Sequence, residues 1–436
     1  MKKLALTLMC FVLLITLAGC DFVKTDMADL FSPPSLTGDF KYISKIVEQT
    51  AGSDYTLKYP VRGEYRSAVV QYDLNGDKKN EAFVFYSKTE GDVTTMTMQL
   101  VRLKNGKWVD GGTQSIFAAG VDMVSFCDLD NDGISEILVG WQVYGSSEMQ
   151  LAVYSYNKNN LSQRLLQKYT SFITCDLNGD QKSGVLIIDL NTTEQYNTAA
   201  LYSLTDDGVI QTGICELDSK LQSISDPIVA ELSNGKTAVY IDAKKGVGAV
   251  TEVLIENKGG LTNPLFDIET RENIYTLRSA SYPVTDINND GILEIPVQEN
   301  VPAVASETIA EKLYLTNWCS FDGEKLTLQT TTMINVIDGY YFTIPAKWHN
   351  KIAVLKDTEN SIREIYLYDH EEAVVGESLI CLRAFNAKDW DSGKFKDLKM
   401  TEITRRNGVV YTYKLNDAIT ELGITDADVK KAFTLY

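Results

Sequence analysis

The chain has 436 residues, too many for one ordinary domain and enough to bury substantial cores. Its 59 Asp and Glu outweigh 41 Lys and Arg, and the formal net charge of −18 argues against nucleic-acid phosphates and anionic lipid headgroups as partners. With only two histidines, His349 and His370, a zinc centre or a His-based triad is hard to build.

At the N-terminus, Lys2 and Lys3 precede an uncharged apolar run from Leu4 to Leu17, followed by Ala18, Gly19 and Cys20. A short positive region, a short apolar region and a small-residue cleavage site read as a secretory signal rather than a membrane span. The cysteine directly after the small residues resembles the lipobox of bacterial lipoproteins. That resemblance implies removal of residues 1–19 as a signal peptide, diacylglycerol on the Cys20 thiol, and an extracytoplasmic protein whose membrane partner is reached through that lipid. Two or more acyl chains suffice for stable anchoring. Asp21 implies, by the same resemblance, retention at the inner membrane of a two-membrane host. Residues 20–65 form a lipidated tether and N-terminal segment, with Pro33 and Pro34 in the stretch from Thr25 to Gly38 that reads as the tether. No later stretch is apolar and long enough to cross a bilayer.

From residue 66 to 331 one segment type recurs. It starts at Asp73, Asp128, Asp176 and Asp286, with a fifth copy at Glu231 that has lost most of its acids, so that successive steps are 55, 48, 55 and 55 residues. A period near fifty is that of a four-stranded propeller blade, and the β-rich stretches around Thr94 and Met149, each followed by an Asn/Gly/Lys turn, supply strands between the copies. The fold class expected is therefore mainly β: a β-propeller of about five four-stranded blades, with six or seven left open by divergent edge blades.

The pattern Asp-x-Asp/Asn-x-Asp-Gly-x-x-Glu between two β-runs resembles the FG-GAP or VCBS repeat of integrin-α-like propellers. It is full at Asp128 to Glu136 and Asp286 to Glu294; Lys78 replaces Gly in the first copy, and the third lacks the final acid. Oxygens at the first, third, fifth and ninth positions of a tight loop can wrap calcium, which takes six to eight oxygen ligands. The candidate ligand sets are Asp73, Asn75, Asp77 and Glu81; Asp128, Asp130, Asp132 and Glu136; and Asp286, Asn288, Asp290 and Glu294. Asp176, Asn178 and Asp180 form a weak set, with Gly184 at the ninth place and Lys182 beside it. An EF-hand is excluded, because its twelfth position would be Val139 or Val297 and the flanks are β-rich. Calcium in such loops is expected to be structural.

Residues 332–436 read as a small α+β domain: a meander of strands from Gly339 onward, then one helix capped by Asn416 and ended by Gly423, and another starting at Thr425 with Asp428 three residues on. Tyr340, Tyr341 and Trp348 could form a sugar-stacking platform, but aromatic runs in strands belong more often to the core. Cys127, Cys175, Cys215, Cys319 and Cys381 match neither a zinc site nor a disulfide framework and read as small core residues.

The function expected is non-enzymatic: a membrane-anchored binding or scaffolding module for a glycan, a peptide or an envelope protein. The alternative is an extracellular glycan hydrolase or lyase, which needs a carboxylate pair outside the metal loops. Glu148, Glu252 and Asp267 are acids of that kind, and nothing in the sequence brings any two of them together.

Overall fold

The computed structural model describes residues 38–436 apart from 92, 207, 280–281, 303–313 and 417–421. Cys20, the signal segment, the tether before Gly38 and the helix expected between Asn416 and Gly423 lie outside the described residues. Strands make up 56% and helices 8%, so the chain is mainly β. Among the described residues no helix is long and apolar enough to cross a membrane.

Six antiparallel sheets follow one another along the chain. The first holds Val69–Tyr72, Glu81–Glu90, Val93–Lys104 and Lys107–Ile116, with the short Thr56–Leu57 added beside Glu81–Glu90. The second holds Ala118–Cys127, Glu136–Val143, Met149–Asn157 and Asn160–Tyr169. The third holds Ser171–Cys175, Gly184–Asp189, Asn197–Thr205 and Gly208–Leu217. In the fourth, Leu221–Ile224 and Ile228–Glu231 share one side of Thr237–Lys245, and Gly248–Asn257 and Gly260–Thr262 follow on the other.

Period-two alternation explains why these sheets stack face to face. Phe83 and Phe85 pack with Ile137, Val139 and Trp141 between the first and second sheets. Leu138 and Val153 meet Val185 and Ile187 between the second and third, and Leu186 and Ile188 meet Val239 and Ile241 between the third and fourth. Strands buried on both faces read as continuous apolar runs, which is why Glu136–Val143 and Gly184–Asp189 show little polar interruption.

The alternate residues of the first sheet, Ala82, Val84 and Tyr86, face a helix instead of another sheet. That helix, Asp39–Ala51, sets Ile43, Val47 and Ala51 on one stripe at a spacing of four and ends at Gly52, whose φ of 80° suits glycine. Among the described residues, six buried clusters join each sheet to the next, or this helix to the first sheet, and none of these joins the sixth sheet to the first. Arg62 then ties the N-terminal segment to the second sheet through a 2.8 Å ion pair with the buried Asp122.

The fifth sheet contains Ile295–Asn300, Tyr314–Phe321, Leu326–Asn335, Tyr340–Thr343 and the last strand, Phe433–Leu435. The expected boundary at 331/332 falls inside Leu326–Asn335, because the ladder runs on through the Asn335 to Gly339 turn and Tyr340 pairs with both Asn335 and Leu435. The sixth sheet holds Ile352–Asp357, Ile362–Asp369, Val374–Asn386, Val409–Leu415 and Thr401–Arg406. Helix Asp426–Ala432 starts with the capping box expected of Thr425 and Asp428. Tyr340 and Trp348 are buried in the core between the fifth and sixth sheets, which removes them as a surface platform. The five cysteines are unpaired thiols, with Cys175 and Cys319 buried and the others half-buried.

Candidate functional site

The loops of Asp73, Asp128 and Asp176 each join two neighbouring strands of one sheet, and that of Asp286, closed by a Thr285–Glu294 bridge, leads into Ile295–Asn300; in all four the carboxylates first serve the loop's own backbone. In the second loop the Asp128 carboxylate accepts the N–H groups of Asp132 at 3.2 Å and Gly133 at 2.9 Å, and Asp132 accepts that of Ile134 at 2.8 Å. Glu136 reaches back from the second strand to accept the Leu129 N–H at 3.0 Å. Glu81 and Glu294 do the same for Leu74 and Ile287. The fourth and sixth positions are left-handed in all four acidic loops: Asn131 and Gly133, Asn289 and Gly291, Gly76 and Lys78, Gly179 and Gln181. The expected Gly at the sixth position is therefore a backbone requirement, and Lys78 and Gln181 meet it under strain.

What separates the loops is the third position. Ligand oxygens of Asp128, Asp130 and Glu136 all lie within 4.8 Å of one another. In the loop of Asp286, the Asn288 amide donates to Asp290 at 2.9 Å and to Glu294 at 3.3 Å, so oxygens of those acids are already hydrogen-bonded to a neighbour. Asn178 likewise donates to Asp180 at 3.0 Å. Burial pushes the Glu136 carboxyl up to about 7, against the pull of the Leu129 N–H, and Asp130 is raised by burial and by Asp132. The donor set of the second loop thus fits a hard cation best, and the other two full sets fit it less well.

Antiparallel order sends the connections 144–148, 190–196, 246–247 and 336–339, together with the sheet-to-sheet connections at 117, 170 and 218–220, to the opposite end. Exposed large apolar side chains sort with them. Phe117, Tyr144, Tyr196, Val247, Ile274, Tyr275, Leu277, Val336 and Ile337 all occupy connections at this second end. Among the described residues, none occupies the acidic loops or the hairpins beside them, such as Asn105–Gly106 and Lys158–Asn159.

A cleft of about 740 Å³ opens at the apolar end, between the third, fourth and fifth sheets. Its wall forms because the segment after Thr262 folds back on the fourth sheet: Ala249 and Arg278 exchange backbone hydrogen bonds of 2.9 and 3.0 Å, and a Cβ at Gly248 would overlap the Arg278 carbonyl oxygen. On the floor, the Lys245 ammonium donates to Asp218 at 2.6 Å, Glu272 at 2.7 Å and the Asn273 carbonyl at 3.2 Å. Glu272 also pairs with Lys220. Arg278 donates to Asp242 at 2.9 Å and to the carbonyls of Thr276 and Tyr282.

No family model matches the chain, and no curated protein matches it. Among solved structures, it is similar to a rhamnogalacturonan lyase from Bacillus licheniformis at 12% identity and a TM-score of 0.30, covering 83% of this chain and 87% of that one. It is similar also to a periplasmic gluconolactonase of Pseudomonas aeruginosa (12% identity, TM-score 0.26, 76% and 89% covered) and to an exo-β-1,3-galactanase from Phanerochaete chrysosporium (9%, 0.25, 76% and 79%). These likenesses are too slight to carry a residue role to this chain.

The acids singled out in the sequence are dispersed. Glu148 is on the surface, paired with Lys168 at 2.9 Å, and Asp267 is half-buried in a turn where Thr270 holds it below the usual carboxylate range. Glu252 is wholly buried and pushed up to about 7 by burial; it accepts the Asp218 N–H at 3.0 Å and the Asn263 amide at 2.6 Å. The carboxylate that does line the cleft, Glu272, is held low by hydrogen bonds from Lys220 and Lys245. Burial works against the Lys245 charge, but its bonds to Asp218 and Glu272 outweigh that and raise it. The cleft floor therefore carries an ammonium and a carboxylate that are paired with each other, while Glu252 is wholly buried.

Proposed function

We propose that the chain is a non-enzymatic binding module, tethered outside the cytoplasm by lipid on Cys20, whose sheets are propeller-type blades and whose binding face is the apolar end. One observation carries this reading: the exposed large apolar residues Phe117, Tyr144, Tyr196, Val247, Leu277, Val336 and Ile337 lie in connections at the end where the cleft opens, and among the described residues the acidic loops at the other end carry none. Apolar surface gathered on one face marks an interaction site, whereas scattered residues would not.

In this reading the acidic loops stiffen the opposite end. Calcium would be held by Asp128, Asp130, Asp132 and Glu136, and more weakly by the sets beginning at Asp73 and Asp286. Bound there, it would supply charge neutralisation and a rigid turn. Glycan hydrolysis or lysis in this cleft would have to break the ion pairs of Lys245 with Asp218 and Glu272, which speaks against it there.

The full chain, immobilised in detergent, tests the binding face by capture from envelope extract. Changing Phe117 and Tyr144 together to Ser should lose the captured partner, while Asn105→Ala and Asn159→Ala at the other end should keep it. The reverse pattern would reject the assignment. Labelling with a clickable fatty acid tests the anchor: the parent should take the label and Cys20→Ala should not.

A further inference from the structure

The cleft has charges on its floor and yet offers none. All three Lys245 donors are occupied, Lys220 is spent on Glu272, and the Arg278 guanidinium is bound to Asp242 and to backbone carbonyls. An anionic ligand would have to break ion pairs that the fold has already made, and a cationic one would face paired carboxylates.

Above this floor the remaining polar groups are of another kind. The side chains of Thr192, Gln195, Ser219, Gln222 and Ser279 line the cleft and have no hydrogen-bond partner among the described residues. Hydroxyls and amides each donate and accept, which is the requirement set by sugar hydroxyls. Tyr196 does not itself line the cleft but follows the lining residue Gln195 in the chain; its ring is half exposed, with the Arg271 guanidinium 5.4 Å from the ring centroid. That guanidinium is itself held by Glu216 at 2.7 Å. A flat apolar ring beside a row of neutral donors and acceptors suits the C–H face and the hydroxyl edge of a pyranose.

We infer that this cleft takes an uncharged oligosaccharide, with Tyr196 as the stacking platform and Gln195 and Gln222 as the main hydrogen-bonding groups. The inference rests on the reading of the apolar end as the binding face and gives that face a ligand class. It also gives the internal ion pairs a role in specificity: they neutralise the floor, so that charged sugars gain nothing there.

Isothermal titration of the full chain in detergent, with neutral hexasaccharides of glucose, galactose and mannose and with uronic-acid oligomers of the same length, tests it. At least one neutral hexasaccharide should bind, at least tenfold more tightly than any uronic-acid oligomer. Its affinity should change less than twofold between low and high salt. Tyr196→Ala and Gln222→Ala should each weaken binding by about tenfold. Asn105→Ala, in a hairpin at the acidic-loop end, should leave it unchanged. Preference for the uronic-acid oligomers, binding to no neutral sugar, or binding that survives both cleft changes would overturn the inference. If sugars fail while Phe117 and Tyr144 still govern capture from envelope extract, the ligand class is wrong and the binding face stands. Release of shorter sugars from a bound oligomer would instead make the cleft catalytic and overturn the non-enzymatic reading.

Discussion

Lys245 and Asp218 meet at 2.6 Å under the cleft, the lysine nearly buried and the aspartate wholly so. Asp218 also accepts the backbone N–H groups of Lys220 and Asn273, at 2.8 Å each, and so joins the start of the fourth sheet to the segment folded back over it. The pair therefore holds the cleft wall as well as setting its charge.

Removing one member leaves the other charged and uncompensated in the interior. Lys245→Met is expected to cost about 3 to 5 kcal/mol in urea unfolding, with part of the loss recovered when Asp218→Asn is added. A loss well under 1 kcal/mol would mean that solvent reaches Asp218 and that the floor is not closed.

Glu252 gives a pH dependence with a definite sign. Its carboxyl is pushed up to about 7 in the folded protein from an ordinary 4.5, so between those values the folded chain holds a proton that the unfolded chain has released. The stability it contributes is complete below about pH 4.5 and falls as pH rises through 7, by roughly 3 kcal/mol in all. Glu252→Gln should flatten the stability profile between pH 5 and 8 by about that amount relative to the parent, whatever it does to stability at pH 5. Parallel profiles for parent and variant would show that Glu252 titrates normally.

The second loop should answer to calcium more than its neighbours. At a hundred- to thousandfold excess over its dissociation constant, calcium should stabilise the full chain by about 2 to 4 kcal/mol. Asp130→Asn should remove most of that gain, because it breaks the converging set of Asp128, Asp130 and Glu136, while Asp180→Asn should remove little. Identical melting temperatures in calcium and in chelator would leave these loops as turns held only by their own backbone bonds.

Strain at the sixth loop position gives a separate test. Lys78 and Gln181 have φ of 65° and 68°, where the neighbouring copies have Gly133 and Gly291. Lys78→Gly and Gln181→Gly should each raise stability by about 1 kcal/mol at constant denaturant slope, since relief of a left-handed side chain exceeds the added freedom of the unfolded chain. A loss of stability would show that the unfolded-state entropy dominates.

The loops, the strands between them and the capping box at Thr425 were legible in the sequence because each is a local pattern: fixed spacing, alternation, a cap three residues from its partner. Helix Asp39–Ala51 also has a local signature, the four-residue spacing of Ile43, Val47 and Ala51, but it stands alone beside a tether and its meaning depends on the exposed face of a sheet it does not resemble. The boundary placed at 331/332 followed the end of the acidic repeat, whereas a sheet ends where its ladder ends, and Tyr340–Thr343 continues it. The cleft was not legible at all. Its residues run from Thr192 to Gln298, and only the tertiary return of Arg278 onto Ala249 brings them together; Gly248, which permits that approach, looks in sequence like any hairpin glycine.

Hydrogen–deuterium exchange on the full chain, with and without the neutral oligosaccharide or envelope partner it retains, tests the placement of the binding face most directly. Protection is predicted in residues 144–148, 192–196, 246–248 and 271–279, with 73–80, 105–106, 158–159 and 176–183 unchanged. Protection confined to the acidic loops and their neighbouring hairpins, with the apolar end still exchanging freely, would contradict it.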